Sequence, residues 1–476
     1  MGNYLLICRV LGRWTRIITV MNVVKTNGSL ADVQAKVNEA PDDGTVAVAI
    51  PGGVYNWNGT LNLHKAITLI GEEGAVLRHN ANGSMISAWA RDSGHVTVSG
   101  LRLVQVSNVG GGRGFLMNAA RRETTNNTVR IHDCTFDQNG IFNWSLQCLS
   151  NGILVWNTRF IGSGSQHGMG GVIMLVGSPG NYELWRRPLT LGAQDTNGLS
   201  NTYLEDCEFL NSSIGCTDFS DNARMVFRHN IVQDAGLGSH GQETSPLGAS
   251  SFEVYNNTFR ISSGNPQNIA FWVHVRGGTG VITGNDMALV PWAGGSQILL
   301  TVMSITRSAN DNAGGVFCPV EYPAPRQTGW SWEDNNANWG RVRGNPSLLD
   351  DGNPGFFRPN GRGAKLDPVY IWDNRGPGAQ ADTYVVLRPF MPDQCGNGQQ
   401  LSNYLQRGRD FYVDAGPKPG WTPYTYPHPL RVLEGEPPPP PLPPEPPPEP
   451  PPDIITYGAW LNRAADWIKK NPPTPD

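Results

Sequence analysis

The sequence predicts an all-β fold, a parallel β-helix (solenoid). A capping helix precedes it. An irregular C-terminal region, a polyproline linker and a short C-terminal amphipathic helix follow it. Three observations predict this: a repeat of twenty-odd residues, short β-branched or aromatic segments inside each repeat, and an Asn that recurs at one place in the later repeats. The repeated phrase is a polar pair followed by a large apolar anchor: Asp133-Cys134-Thr135-Phe136, Asn157-Thr158-Arg159-Phe160, Asp206-Cys207-Glu208-Phe209, His229-Asn230-Ile231-Val232, Asn256-Asn257-Thr258-Phe259 and Gly284-Asn285-Asp286-Met287. The anchors differ by 24, 49, 23, 27 and 28 residues, and the 49-residue step reads as two periods. A unit this short cannot bury a core of its own, so successive units must stack.

Leucine-rich repeats share the period, but they need a Leu-rich ladder and a helical return, and neither is visible. The segments here are Val96-Thr97-Val98, Thr128-Val129-Arg130-Ile131, Met225-Val226-Phe227, Phe252-Glu253-Val254-Tyr255 and Val281-Ile282-Thr283. Each alternates for three to five residues and then meets Asn, Asp or Gly, the pattern of a short strand. Asn230, Asn257 and Asn285 fall two residues before their anchors. Asn tolerates left-handed backbone angles, and its amide can bond the Asn of the next coil, so a ladder at a sharp turn is expected. Cys134 and Cys207 occupy the same slot, which reads as stacked small buried residues rather than metal ligands.

The elements follow in order. Residues 1–20 carry Leu5, Leu6, Ile7 and Cys8, but Arg9, Arg13 and Arg16 interrupt the run. A secretory signal wants an unbroken apolar core and a small-residue cleavage site, and a membrane span wants more length. The segment is therefore expected to be a tail or an upstream-start artefact. Residues 21–44 form the N-terminal cap, with Ser29 as helix N-cap and Leu30, Val33 and Val37 as one apolar stripe. Such a cover is needed because the end of the stack is an open sheet edge. Residues 45–304 form the β-helix, and Thr45 to Val302 would hold roughly ten to eleven coils. Residues 305–435 lose the repeat, are rich in Trp, Asn and Gly at first, and are expected to pack on the β-helix. Residues 436–453 are nearly all Pro and Glu, a polyproline II rod of about 50 Å. In residues 454–470, Tyr457, Trp460, Leu461, Ala464, Trp467 and Ile468 share one helical face. An isolated helix of this length is marginal in water, so it is expected to dock in a partner's groove. Residues 471–476 are a tail.

The opening coils carry a resemblance. Asp43-Gly44-Thr45-Val46, then Ile50-Pro51-Gly52-Gly53-Val54-Tyr55-Asn56-Trp57, then Ala66-Ile67-Thr68-Leu69-Ile70-Gly71 is similar to the start of right-handed parallel β-helix proteins of the pectate-lyase-like superfamily. The resemblance covers roughly residues 28 to 430, and a Tyr-Pro-His-Pro-Leu ending like Tyr426–Leu430 closes some bacterial and viral members. It implies a right-handed winding. It does not fix an activity, because this fold hosts lyases, hydrolases, phage tailspikes and adhesins. The superfamily's pectate-lyase and polygalacturonase motifs are absent from this chain, and Arg186-Arg187-Pro188 is only a partial echo.

Composition bounds the partners. The chain has 476 residues, 57 Gly, 38 Pro, 16% charged residues and a net charge of −4, which suits a turn-rich β protein and argues for neither nucleic acid nor an anionic membrane surface. Seven Cys show no metal spacing and read as mostly buried thiols. No metal site or cofactor is expected, and calcium is not indicated.

Sites in stacked coils lie along one face, so ionisable residues at matching distances after the anchors are the candidates for chemistry. His167, Asp218 and His240 follow their anchors by seven, nine and eight residues and are expected on neighbouring loops. With Glu243 they form the candidate catalytic set, and Asp221, His274 and Arg276 the candidate substrate-binding set. A His with carboxylates can serve as general base and acid on a sugar, and an Arg can neutralise a uronate. The expected function is a surface-exposed or virion-associated, tailspike- or decoration-like protein that binds polysaccharide, with its degradation left open because no known catalytic signature is matched. Two alternatives stand beside it: a purely structural attachment protein, and a secreted polysaccharide lyase or glycosidase. Expected partners are a polysaccharide, a virion or surface protein that takes the C-terminal helix, and, in a trimeric arrangement, two further copies of the chain.

Overall fold

Stacking of short strands is what the structure shows. The computed structural model describes residues 21–106, 115–122, 124–141, 144–163, 173–176, 195–212, 215–220, 223–239, 249–260, 271–275, 277–287, 299–303, 328–332, 341–342, 356–357, 364–375, 385–387 and 405–431. All lie within one unit, Met1–Arg431; the second unit, Val432–Asp476, contains the proline-rich stretch and the expected docking stripe Tyr457–Ile468 and lies outside the described residues. Among the described residues no helix is long and apolar enough to cross a membrane.

Among the described residues three sheets of twelve, nine and ten strands form the stack; we call them A, B and C. Every pairing within them is parallel, and one coil visits A, B and C in turn: Val46–Ile50, Gly53–Trp57 and Leu61–Leu63, then A again at Ile67–Gly71. This is a parallel β-helix, and the rule for crossovers between parallel strands winds it right-handed. The six anchors of the repeat form one interior column on sheet B. Phe136, Phe160, Phe209, Val232, Phe259 and Met287 are all at most 1% exposed. Phe136 stacks on Phe160 at 4.9 Å and Phe160 on Phe209 at 5.1 Å.

That stacking corrects the counting of coils. Arg159–Ile161 pairs directly with Glu208–Leu210, so the 49-residue step is one coil with an insertion, not two. Among the described residues nine three-strand coils lie between Val46 and Met303, against the ten to eleven expected. The solenoid is also longer than residues 45–304. Asn22–Lys25 pairs in front of Val46–Ala49. Beyond the repeat, Val369–Trp372 and Phe411–Val413 extend sheet A, and Val385–Leu387 extends sheet C. Period counting misses them because the connections between late coils are long, and pairing does not depend on the length of the connection.

The cap forms as the sequence predicts. The helix Leu30–Glu39 starts at Ser29, whose side chain accepts from the Asp32 amide at 3.3 Å, and it buries Val33 and Val37. The turn between sheets A and B holds the ladder. Asn230, Asn257, Asn285 and Asn374 bond in series, each amide nitrogen donating to the next side-chain oxygen at 2.8–3.1 Å. Thr158, Cys207 and Cys134 continue the column. The left-handed residue is not the ladder Asn, as the sequence suggested, but the one before it: Asp133, Asn157, Asp206, His229, Asn256, Gly284 and Asp373 all have φ between 47° and 63°. The positive φ turns the chain so that the following side chain points inward and bonds along the stack. Cys134, Cys148, Cys207 and Cys216 are buried free thiols, and burial pushes the Cys134 thiol up to about 12.

Residues Lys418–Arg431 form a strap on the outer face of sheet A. Trp421 donates to Glu253 at 3.0 Å, and Tyr424 joins an apolar cluster with Leu154, Trp156, Tyr203, Val226 and Tyr255. Tyr426 donates to Asp206 at 2.6 Å and stacks on His229 at 3.6 Å. The Tyr426–Pro427 peptide is cis. His428 is buried, its ring 3.0 Å from the Asp195 carbonyl. Arg431 pairs with Glu205 at 3.0 Å and also with Asp206.

The strap makes stability pH-dependent. Burial depresses His229 from 6.5 to about 4, with Asp206 pulling the other way, Arg228 lowering it, Glu205 raising it and Arg431 lowering it. A depressed histidine stabilises the fold above its unfolded value, and that stability is lost as pH falls from 6.5 towards 4. Burial would raise the Glu205 carboxyl, but Arg228 and Arg431 outweigh it and hold it low, so its contribution is lost in acid too. The melting temperature is expected to fall across that window, and His229→Gln to flatten the fall. An unchanged pH profile in the variant would remove His229 from the account.

Candidate functional site

Side chains alternate across a strand, so each sheet has an inner and an outer row. In sheet C the inner row is Leu61, Leu63, Ile86, Ala88, Met117, Ala119, Leu146 and Cys148, each at most 1% exposed. The residues between them face outward. Parallel register aligns Asn62 with Ser87, Ser87 with Asn118, Asn118 with Gln147, Gln147 with Met174, Met174 with Asp218, and Asp218 with Gly238. The next strand pairs Val273 with Leu237, which sets His274 beside Gly238. One outer row therefore runs Asn62, Ser87, Asn118, Gln147, Asp218, Gly238, His274, with the register position of Met174 between Gln147 and Asp218, each strand step about 4.8 Å.

Two of the seven predicted catalytic and substrate-binding residues stand in that row. Asp218 lies on Thr217–Ser220, a strand and not the loop expected for it, and His274 lies on the strand Phe271–Val275; both are buried. Strand pairing fixes them, whereas counting from the anchor cannot tell a strand from the corner that leads to it. His167, Asp221, His240, Glu243 and Arg276 lie outside the described residues. Asp218 and His274 are separated by one rung, and that rung is Gly238, which has no side chain. Two strand spacings set their backbones about 10 Å apart. Among the described residues no group of three or more His, Cys, Asp or Glu could hold a metal ion.

Towards the N-terminal end the face changes character. Asn62 is exposed, and Ser87, Asn118 and Gln147 are half-buried, so this stretch offers amides and a hydroxyl without formal charge. The Asn118 Oδ1 is buried without a hydrogen-bond partner. His64 bonds the Ser87 hydroxyl at 3.1 Å and lies 5.7 Å from the Trp89 ring. Burial, then Arg91, holds the His64 pKa below its ordinary value, so the imidazole is neutral at pH 7. Trp89 is 40% exposed. Sequence reasoning missed this stretch because the corner between sheets B and C varies. The outer row comes six residues after the anchor at Val232–Gly238 but fifteen after it at Phe259–His274. Aligning the in-out alternation of the strands themselves would have found it.

The other dense cluster of ionisable groups, Glu205, Asp206, Arg228 and Arg431 under the strap, is committed to its own contacts. Arg228 is 0% exposed and bonds Glu205, the Tyr255 hydroxyl, and the carbonyls of Tyr424 and Thr425. That is a clasp and not a ligand site.

No protein-family model and no curated protein matches the chain. Several solved structures are similar to it. Pectin methylesterase PemA from Erwinia chrysanthemi is 12% identical, over 79% of this chain and 95% of that one, with a TM-score of 0.31. The PL6 family alginate lyase AlyGC is 12% identical, over 82% of this chain and 53% of that one, with a TM-score of 0.37. The Dettilon tailspike protein gp208 is 10% identical, over 78% of this chain and 69% of that one, with a TM-score of 0.34. At identities and scores this low, none of them assigns a residue role or an activity to this chain.

Proposed function

We propose that this protein is a surface-exposed or virion-associated β-helix protein, of the tailspike or decoration kind, that binds a polysaccharide along the outer face of sheet C. The observation that carries the reading is the outer row itself. It is a straight polar track with a rise of one coil, about 4.8 Å, close to the length of one pyranose residue. It carries amides, a hydroxyl, a carboxylate and an imidazole, the groups that hydrogen-bond sugar hydroxyls.

Cleavage of the bound glycan is a second reading, favoured by one observation. Asp218 and His274 flank a side-chain-free rung, and a carboxylate and an imidazole on one row are the pair of groups that general acid-base cleavage of a sugar needs. The test is a broad glycan panel scored for both binding and product. Asp218→Asn and His274→Ala are each expected to weaken binding about tenfold, the worth of one charge-assisted hydrogen bond. If the protein cuts, both variants lose product, and a lyase product absorbs in the ultraviolet. Wild-type protein that binds nothing, or variants that bind like wild type, would leave a purely structural attachment protein as the better reading. The virion context is checked separately, by finding the chain in purified particles or its gene among tail and capsid genes and not sugar-uptake genes.

A further inference from the structure

The exposed end of the same face offers something different from its charged centre. Trp89 is the sole aromatic among the large hydrophobic residues exposed in the described structure, the others being Val54 and Leu366. A single exposed tryptophan needs no explanation by itself. Its setting is more specific. Trp89 lies on the outer face of sheet C, and its partner in the next coil is Ala120, a small neighbour. His64 flanks it on the other side, itself bonded to Ser87. Beside it runs the uncharged row Asn62, Ser87, Asn118 and Gln147, with an unpartnered acceptor at Asn118. An apolar ring face beside a line of amides and a hydroxyl matches a pyranose, which has a C–H face and a rim of hydroxyls.

We propose that Trp89, flanked by His64, is a stacking platform for a neutral pyranose residue at the far end of an extended glycan whose other end lies at Asp218 and His274. This rests on the polysaccharide reading of the sheet C face and adds a minimum ligand length to it. From the strand Ser84–Ala90 to Thr217–Ser220 there are four strand steps, about 19 Å, and two more reach Phe271–Val275, about 29 Å in all. A disaccharide at Asp218 cannot touch Trp89, whereas a chain of about six residues spans both.

The experiment measures affinity by calorimetry for disaccharides through decasaccharides of cello-, xylo- and malto-oligosaccharides, oligogalacturonates and alginate. It compares the full chain with Trp89→Ala, Trp89→Phe and Asp218→Asn, each checked for an unchanged melting temperature. In Trp89→Ala, the longer oligosaccharides are expected to bind about tenfold more weakly and the shortest unchanged. Trp89→Phe should recover most of the loss, and Asp218→Asn should weaken all lengths. A Trp89→Ala variant that binds every length like wild type, or loses all lengths equally, overturns the platform while a loss in Asp218→Asn leaves the proposed function standing. A Trp89→Ala variant that changes the mass in solution and not the affinity assigns the residue to self-association and also overturns it. If no oligosaccharide binds, or Asp218→Asn has no effect at any length, the proposed function and the platform fall together.

Discussion

Asn257→Leu is expected to destabilise the β-helix by about 3–6 kcal/mol, because each buried polar group left unpaired costs about 1–3 kcal/mol. Asn257 is 1% exposed and sits inside the ladder. Its Oδ1 accepts from the Asn230 backbone amide at 2.9 Å and from the Asn230 side chain at 3.1 Å. Its Nδ2 donates to the carbonyls of Phe227 at 2.9 Å and Tyr255 at 3.1 Å, and to Asn285 at 2.9 Å. Leucine fills nearly the same volume, so the cost is polar and not a cavity. Denaturant midpoints of the variant and of wild type measure the loss. A loss below about 1 kcal/mol for Asn257→Leu would show that water or a backbone shift replaces the ladder bonds.

Arg228→Met should cost about 3–5 kcal/mol, the range for breaking one side of a buried ion pair. The Arg228 and Glu205 side chains are 0% and 1% exposed. Removing the guanidinium leaves Glu205 with Arg431 and the His428 amide, and strips a donor from the carbonyls of Tyr424 and Thr425. The strap should therefore loosen before the coils do. Limited proteolysis is expected to cut between Lys418 and Arg431 in the variant and not in wild type. Replacing Glu205 and Arg228 together by apolar residues should recover much of the stability, because no charge is then left buried without its partner. A strap equally resistant in wild type and Arg228→Met would show that its aromatic contacts, not the ion pair, hold it.

Much of this fold was legible because a solenoid repeats. The phrases ending at Phe136, Phe160, Phe209, Val232, Phe259 and Met287 named the interior column of sheet B directly, and Asn230, Asn257 and Asn285 named the ladder. The Ser29 cap and the stripe Leu30, Val33 and Val37 were readable for the ordinary reason that helix starts and apolar faces are local signals. Connections were not legible. The long step to Glu208–Leu210 and the far longer one to Asn374 sit in insertions of arbitrary length, so a period could not tell an insertion from an extra coil.

The candidate site was half legible for the same reason. Asp218 was singled out by its distance from an anchor and His274 as a substrate-binding candidate beside that set, but the distance varies with the corner between sheets B and C. Only strand register shows that they share a row with Asn62, Ser87, Asn118 and Gln147. The clasp was less visible still. Glu205 and Arg228 are ordinary strand residues in the chain, and Tyr424, His428 and Arg431 come some two hundred residues later.

What the sequence determined by itself is what repeats locally: the strand segments, the turn chemistry, the interior column and the capping helix. Each of these is set by residues within a few positions of one another, through side-chain alternation and backbone preference. The tertiary structure decided which rungs are neighbours, where the solenoid ends and which polar side chains line one outer face. Those are pairings between coils, formed by hydrogen bonds between strands twenty to ninety residues apart, and no local signal records the length of chain between them.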